Sequence, residues 1–423
     1  MKTALLAGTH SGCGKTTVML TLLQYFRKNK QTIKAFKAGP DFLDPLWHQA
    51  ITGTPSYNLD TRMMGAEACR TLLIQQAANH DVALIEGVMG LFDGASGVGK
   101  EGSSLDLARV LACPVILVVD AGGMSGSIAA LVSGFSQYAE QRGVNISGII
   151  ANRVGSEYHA GLLKAALVEH DLPPLIAWMA RSDQPLKERH LGLMRPEEGS
   201  LPDFLPSFHA DEDAFMAAFV RTIQPASRPV QAGQRLKGRT IAVAKDQACC
   251  FIYPANLDWL QEQGAKLLFF SPVAGEPVPE AADALWLPGG YPELYASELA
   301  SSASWPSLRA AVESGMPVLA ECGGAMLLGR ELVDKDGQRW PMADIFSYVS
   351  LMQPKLAALG YREEGGCAKG HEFHYSRREQ DEGLPAGFNC LSGDQGVRHK
   401  NVRASYVHWY FASNSDQVAA WFM

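Results

Sequence analysis

Residues 3–17, TALLAGTHSGCGKTT, constrain this chain more than any other stretch. A short apolar run ends at Gly8, a glycine-rich turn follows, and an amphipathic stretch starts at Lys15. Strand, tight loop and helix in immediate succession is the setting in which Gly-Lys-Thr becomes a phosphate-binding loop. Backbone N–H groups and the helix N-terminus would cradle phosphates there. Lys15 would reach the β and γ phosphates of ATP, and the Thr16 hydroxyl would ligate Mg²⁺. Gly8, Thr9, Ser11, Gly12, Gly14 and Thr17 complete the expected nucleotide loop. Five residues separate Gly8 from Gly14, one more than the usual spacing.

That loop opens a longer alternation. TALLA (3–7), TIKAF (32–36), VALIEG (82–87), PVILVVD (114–120) and ISGIIAN (146–152) are apolar on both faces, as strands of a buried parallel sheet are. Amphipathic stretches at 15–29, 104–112 and 126–140 lie between them, which predicts a doubly wound α/β domain. Strand signals fade after residue 180. Pro-rich turns flank one helical run, DEDAFMAAFVRTI, read as the closing helix of a first domain spanning 1–225. A boundary falls near 225–237. A second α/β pattern covers 238–423. RTIAVAK, KLLFFSP, ALWLPGG and MPVLAEC read as strands, PANLDWLQEQG and GGAMLLGREL as helices, and 344–412 as mostly strand. At 423 residues, two or three domains are expected.

Mg²⁺ wants carboxylates beside the Thr16 hydroxyl. Asp41, after the second strand, and Glu86, ending the third, stand where open α/β sheets bind ligands. Asp44 and Asp93 compete with them. Lysine is absent five positions before Lys15, where dimerising partition ATPases carry one; His10 stands there and reads as a solvated loop residue. The longer loop resembles that of dethiobiotin synthetase, whose relatives phosphorylate a carboxylate or carbamate before nitrogen attacks.

PVLAECGGAMLLG sets Cys322 at a strand-to-helix turn, with Ala320 and Gly324 leaving room for a nucleophile elbow. The helix N-terminus is expected to lower the thiol pKa. A thiol nucleophile needs a base; His371, His374, His399 and His408 all lie downstream, and spacing alone does not choose. Backbone N–H groups of Gly289, Gly290 and Tyr291 would form an oxyanion hole.

Net charge is −7 and pI about 5.9, which argues against nucleic-acid binding. Eight scattered cysteines make neither a disulfide framework nor a zinc pattern. No signal-peptide pattern and no bilayer-length apolar run is present, so a cytoplasmic protein with no membrane partner is expected.

The motifs together carry a resemblance. PGGYPE, a cysteine elbow and a later histidine look like a class I glutamine amidotransferase. GPDFLDPLWH, SYNLD, EGVMGLFDG, NRVGSEYH, ERHLGL, NLDWL, LPGGYPELYA, ECGGAMLLG, GHEFHYS and SYVHWYFAS resemble, in order along nearly the whole chain, the cobyrinate a,c-diamide synthase family. The resemblance implies a dethiobiotin-synthetase-like ATP domain joined to a glutaminase domain. Cys322 would attack the glutamine amide with His408 as its base. ATP and Mg²⁺ would convert corrin a- and c-carboxylates to acyl phosphates that ammonia displaces. It also implies Lys37 near the phosphates and Asn152 near the adenine.

Two departures stand out. Many class I enzymes have Glu two residues after the histidine; Tyr410 stands there, so a Cys–His dyad is expected, with His408 oriented from elsewhere. Cys250 and Ile252 occupy positions where the family places aromatics. Hydrogenobyrinate and nickel-sirohydrochlorin are alternative substrates for the same chemistry, and cobyric acid synthase matches less well. A non-catalytic P-loop switch is the reading from another class. Oligomeric state is left open.

Overall fold

The computed structural model describes residues 1–94, 101–181, 188–189, 192–199, 201–221 and 233–423. The chain divides into two compact units, Met1–Pro229 and Val230–Met423. Of the ERHLGL motif, His190 and Leu191 lie outside the described residues, as does most of the 225–237 boundary segment.

The first unit is built on a nine-stranded sheet. Its core runs Leu175–Ala180, Ile146–Val154, Val115–Asp120, Lys2–Gly8, Val82–Gly90, Ile33–Ala38 and Tyr57–Leu59, all parallel. Phe208–Ala210 adds an antiparallel edge. The central strands are buried on both faces because helices cover both. Lys15–Lys28 packs its apolar face, including Val18, Leu22 and Phe26, on one side. Tyr57–Leu59 and Leu175–Ala180 were not among the strands expected; the three residues of Tyr57–Leu59 are too few to show a period.

Two expectations need correction here. The run DEDAFMAAFVRTI is helical only over Glu212–Ala217, capped by the Asp211 side chain. Val220–Arg221 then lies antiparallel along Lys2–Thr3, because that part of the first strand is not yet covered by Val115–Asp120, whose pairing starts at Leu5. Glu86 does not end its strand: the strand continues to Gly90, with an irregularity opposite Gly8.

The second unit holds a six-stranded sheet ordered Lys266–Phe270, Thr240–Ala244, Ala284–Leu287, Val318–Glu321, Val402–Ser405, Val397–His399. All but the last strand are parallel. Separate apolar clusters pack against this sheet, one around Leu285, Leu287 and Ala320, the other around Ile241, Trp286 and Leu319. A three-stranded sheet, Ala358–Glu364, Ala368–His374 and His408–Tyr410, brings the histidine-bearing segments together. The expected helix GGAMLLGREL stops at Leu328 and Glu331–Val333 is a strand. No helix among the described residues is long and apolar enough to cross a membrane.

Candidate active sites

In the first unit the register of the sheet assembles the site. Lys37 stands directly opposite Glu86 in the parallel ladder, and Leu6, two residues before the loop begins, opposes Glu86 from the other side. Parallel neighbours share a face, so Lys37 Nζ lies 3.3 Å from Glu86 Oε1. Lys37 also pairs with Asp44 and stands 3.8 Å from Asp41 Oδ2. Thr16 Oγ1 donates to Glu86 Oε1 at 2.7 Å, and His48 Nε2 meets Glu86 Oε2 at 2.8 Å. The phosphate loop, Glu86 and Lys37 are thus one cluster.

The loop itself is held open. Gly12 and Gly14 have φ of 83° and 92°, a region that favours glycine. A Cβ on Gly14 would also collide with the Asn152 amide nitrogen. Lys15 Nζ donates to the His10 carbonyl at 3.4 Å, a long contact to an uncharged acceptor that a phosphate oxygen would outcompete. His10 is exposed and shares a hydrogen bond with Thr9 Oγ1. Asn152 Nδ2 donates to Cys13 O at 3.0 Å, so its amide is committed to the loop backbone.

Three carboxylates crowd one ammonium. Burial works against the Lys37 charge, but Asp44, Glu86 and Asp41 outweigh it and keep Lys37 above the ordinary lysine range. Burial would raise Glu86, yet Lys37, with the His48 and Thr16 hydrogen bonds, holds it down to about 2. Asp44 is the one pushed up, by burial first and then by the Asp41 and Glu86 charges. Burial lowers Lys15. Asp41 Oδ1 accepts the N–H groups of Leu43 and Asp44, opening the helix Leu43–Thr52, while Oδ2 faces Lys37. Asp93 instead accepts the Gly90 N–H at 2.8 Å. Among the described residues no group of three His, Cys, Asp or Glu side chains forms a ready metal cage. Mg²⁺ does not need one, since it keeps water and phosphate ligands beside one or two carboxylates.

In the second unit Cys322 follows Val318–Glu321 and precedes Gly323–Leu328, with φ of 45° and ψ of −110°. A strained non-glycine residue of this kind marks an elbow. Its N–H donates to Ser405 O at 2.7 Å, tying the elbow to the strand before His408. A Cβ on Gly324 would strike the Leu287 carbonyl, so this turn packs against the end of the neighbouring strand. A Cβ on Gly289 would clash with His408 Cε1 and lie 3.2 Å from Cys322 Cβ. Gly289 is therefore the floor on which Cys322 and His408 meet. Gly290 N borders Gly323, at 2.9 Å from where a Cβ would stand, and Phe251 N pins the Gly289 carbonyl at 2.8 Å. The Tyr291 ring packs edge-on against Phe251.

His408 and His371 face each other across two antiparallel strands, their rings stacked at 5.1 Å. Tyr253 Oη shares a hydrogen bond with His371 Nδ1 at 3.1 Å. His374 stacks on Tyr406 and its Nδ1 donates to Ser376 O at 2.7 Å. His399 is exposed on the edge strand and is not brought to Cys322. The expected lowering of the thiol is reversed. Burial pushes Cys322 up, and the Glu293 carboxylate adds to it; a helix of one and a half turns does not compensate. Burial, then His371 and His374, depress His408, and burial takes His371 down to about 3. The resting pair is a neutral thiol beside a neutral imidazole.

Sequence reasoning missed two contributors. His48 orders Glu86, and its Nδ1 meets Ser56 Oγ at 3.0 Å. Glu321, beside the nucleophile, accepts from Trp286 Nε1 at 3.0 Å and from the Trp409 N–H at 2.8 Å. Burial pushes Glu321 up to about 8 against those two bonds. A lone carboxylate in the apolar run PVLAEC was the available signal.

Known proteins resemble both halves. Residues 4–184 match the CobQ/CobB/MinD/ParA nucleotide binding domain, and residues 240–416 the CobB/CobQ-like glutamine amidotransferase domain. A cobyrinate a,c-diamide synthase of Herminiimonas arsenicoxydans is 39% identical over 97% of this chain and 94% of its own. That of Salmonella typhimurium is 38% identical over 99% and 96%. A hydrogenobyrinate a,c-diamide synthase of Brucella abortus is 38% identical over 96% and 98%. Among solved structures, chloroplast FtsY from Physcomitrella patens aligns with 51% of this chain and 64% of its own at 16% identity, with a TM-score of 0.33.

Proposed function

Because the chain belongs to the cobyrinate a,c-diamide synthase family, we propose that it amidates the a- and c-carboxylates of cobyrinate, using ATP and glutamine, in cobalamin biosynthesis. It is a glutamine-dependent carbon–nitrogen ligase with a nucleotide-binding domain. The observation that carries the finer reading is the coexistence, in one chain, of the Lys15–Thr16–Glu86–Lys37 cluster and the Cys322–Gly289–His408 junction.

At the elbow, Cys322 Sγ attacks the glutamine amide carbon while its proton passes to His408. Neutral partners make this transfer simultaneous with attack rather than prior to it. N–H groups of Gly290 and its neighbours Gly289 and Tyr291 face the oxygen that gains charge. Ammonia leaves with the proton held by His408, and water releases glutamate from the thioester. Glu321, through the Trp409 N–H, keeps the His408 strand in place and supplies part of what Tyr410 does not.

In the nucleotide unit, the substrate carboxylate attacks the γ-phosphorus of ATP, ADP leaves, and ammonia then displaces phosphate from the acyl phosphate. Lys15 and Lys37 offset the charge that accumulates on the transferring group. Thr16 and Glu86, with Asp41 facing the same pocket, would hold Mg²⁺; the pocket already draws a cation, Lys37, among its carboxylates. Bound there, Mg²⁺ supplies charge neutralisation on the phosphates. Eight free thiols suit a reducing cytoplasm as the place of action.

Hydrogenobyrinate relatives match almost as well, so the test is turnover of cobyrinate, hydrogenobyrinate and nickel-sirohydrochlorin side by side. Cobyrinate should give the highest kcat/KM. Preference for either alternative overturns the substrate and leaves the chemistry standing.

A further inference from the structure

Adjacent residues on a strand point to opposite faces, because the side-chain period is two. Asn152 and Arg153 do not obey this. Their strand loses register against Leu175–Ala180 between Ala151 and Val154, and Arg153 lies at φ 59°. Irregularities of this kind re-aim side chains, and strained non-glycine residues gather where function demands them. Both side chains consequently reach the same loop. Asn152 Nδ2 donates to Cys13 O at 3.0 Å, and Arg153 Nη2 to Gly12 O at 3.0 Å. Asp120, the cross-strand partner of Asn152, pairs with the Arg153 guanidinium, and its other oxygen accepts the Gly122 N–H at 3.1 Å.

Two consecutive carbonyls of the glycine-rich loop are thus held from outside. In a trans peptide the C=O and the following N–H point in opposite directions. Fixing the Gly12 and Cys13 carbonyls toward Arg153 and Asn152 turns the Cys13 and Gly14 N–H groups the other way, as a phosphate cradle needs. A loop with one extra residue has more freedom to lose on binding. It gains correspondingly from being held before the ligand arrives.

We propose that Asn152 and Arg153 form a latch that preorganises the phosphate loop, acting as positioning residues through its peptide planes rather than by touching the base or the γ-phosphate. This rests on the reading that the loop holds ATP phosphates.

Calorimetric titration of the full chain with ADP and with a non-hydrolysable ATP analogue tests it, using wild type, Arg153→Ala, Arg153→Lys and Asn152→Ala. Either alanine variant should weaken both nucleotides by the same factor, about tenfold. KM for ATP should rise more than kcat falls, and Arg153→Lys should recover part of the loss. Preference for ATP over GTP should not change. Loss confined to the ATP analogue would make Arg153 a direct phosphate contact and overturn the latch. So would a changed base preference in Asn152→Ala, or unchanged affinity in both alanine variants. If wild type binds neither nucleotide, the ATP reading itself fails instead. Thermal melting reports folding, and if Arg153→Ala does not fold, the lysine variant carries the comparison.

Discussion

Around Glu86, burial encloses charges that answer one another; around Cys322, burial encloses groups that are each neutral alone. Glu86 stays ionised because Lys37 opposes it across the strand ladder and His48 and Thr16 bond its oxygens. The groups acting on Cys322 and His408 are instead the Glu293, Glu321 and Glu372 carboxyls and the His371 and His374 rings. The difference matches the chemistry proposed for each site. A site for a tetra-anionic nucleotide is built from fixed charge, whereas a site that hydrolyses an uncharged amide creates charge only in the transition state.

The sharpest way to break this comparison is to remove one key side chain from each site in turn. Cys322→Ala should cut glutamine-dependent amidation by about 10⁴-fold or more, while synthesis from added ammonia continues. Lys15→Ala should stop both. Loss of ammonia-dependent synthesis in Cys322→Ala would mean that the two sites are not separable in this way.

Next is Glu86→Gln. Amidation from either nitrogen source should fall about 10²–10³-fold. Stability should fall only slightly, because the lost Glu86–Lys37 attraction is partly offset by relief of the carboxylate crowding on Asp44, and Lys37 keeps Asp44. A melting temperature lower by ten degrees would show that the Glu86 charge was structural rather than reserved for the nucleotide.

Gly289→Ala probes the neutral site by geometry alone. The new methyl must displace His408, so glutamine-dependent turnover should fall about 10²-fold, with stability reduced by about 1–3 kcal/mol. Ammonia-dependent turnover should stay. Normal glutamine kinetics would mean that His408 is not the base.

The smallest effect is on pH, and it separates the regions by window. His371 and His408 have folded pKa values depressed below the ordinary 6.5. Their contribution is present above about pH 6.5 and is lost as pH falls, since the unfolded chain then binds more protons. The loss is about 1.4 kcal/mol per pH unit for each histidine. Glu86, depressed from 4.5 to about 2, begins to lose its contribution only below about pH 4.5, and the raised Asp44 partly offsets it. Melting followed in each unit by a local probe should show the Val230–Met423 unit soften first on acidification.

Much of this was legible in the chain. Apolar runs with two buried faces announced parallel sheets, and Gly-Lys-Thr after such a run announced a phosphate loop. Cys322 between a strand and small residues announced an elbow. What could not be read was long-range register. Lys37 and Glu86 are far apart in sequence and become neighbours only because Ile33–Ala38 pairs with Val82–Gly90. Among four histidines, spacing did not choose; the resemblance implied His408, and its packing on Gly289 is a contact across distant segments. The direction of the Cys322 shift was misjudged because an elbow pattern says nothing of how completely the thiol is buried.

By itself, then, the sequence determined the kinds of element, the two α/β units and the residue types able to do phosphoryl and amide chemistry, since these follow from local periodicity and local motifs. Tertiary structure alone decided which carboxylates share Lys37, which histidine meets Cys322, and how Asn152 and Arg153 both reach one loop. Those depend on strand order, register and a single irregularity, and desolvation then sets which of the assembled groups carry charge.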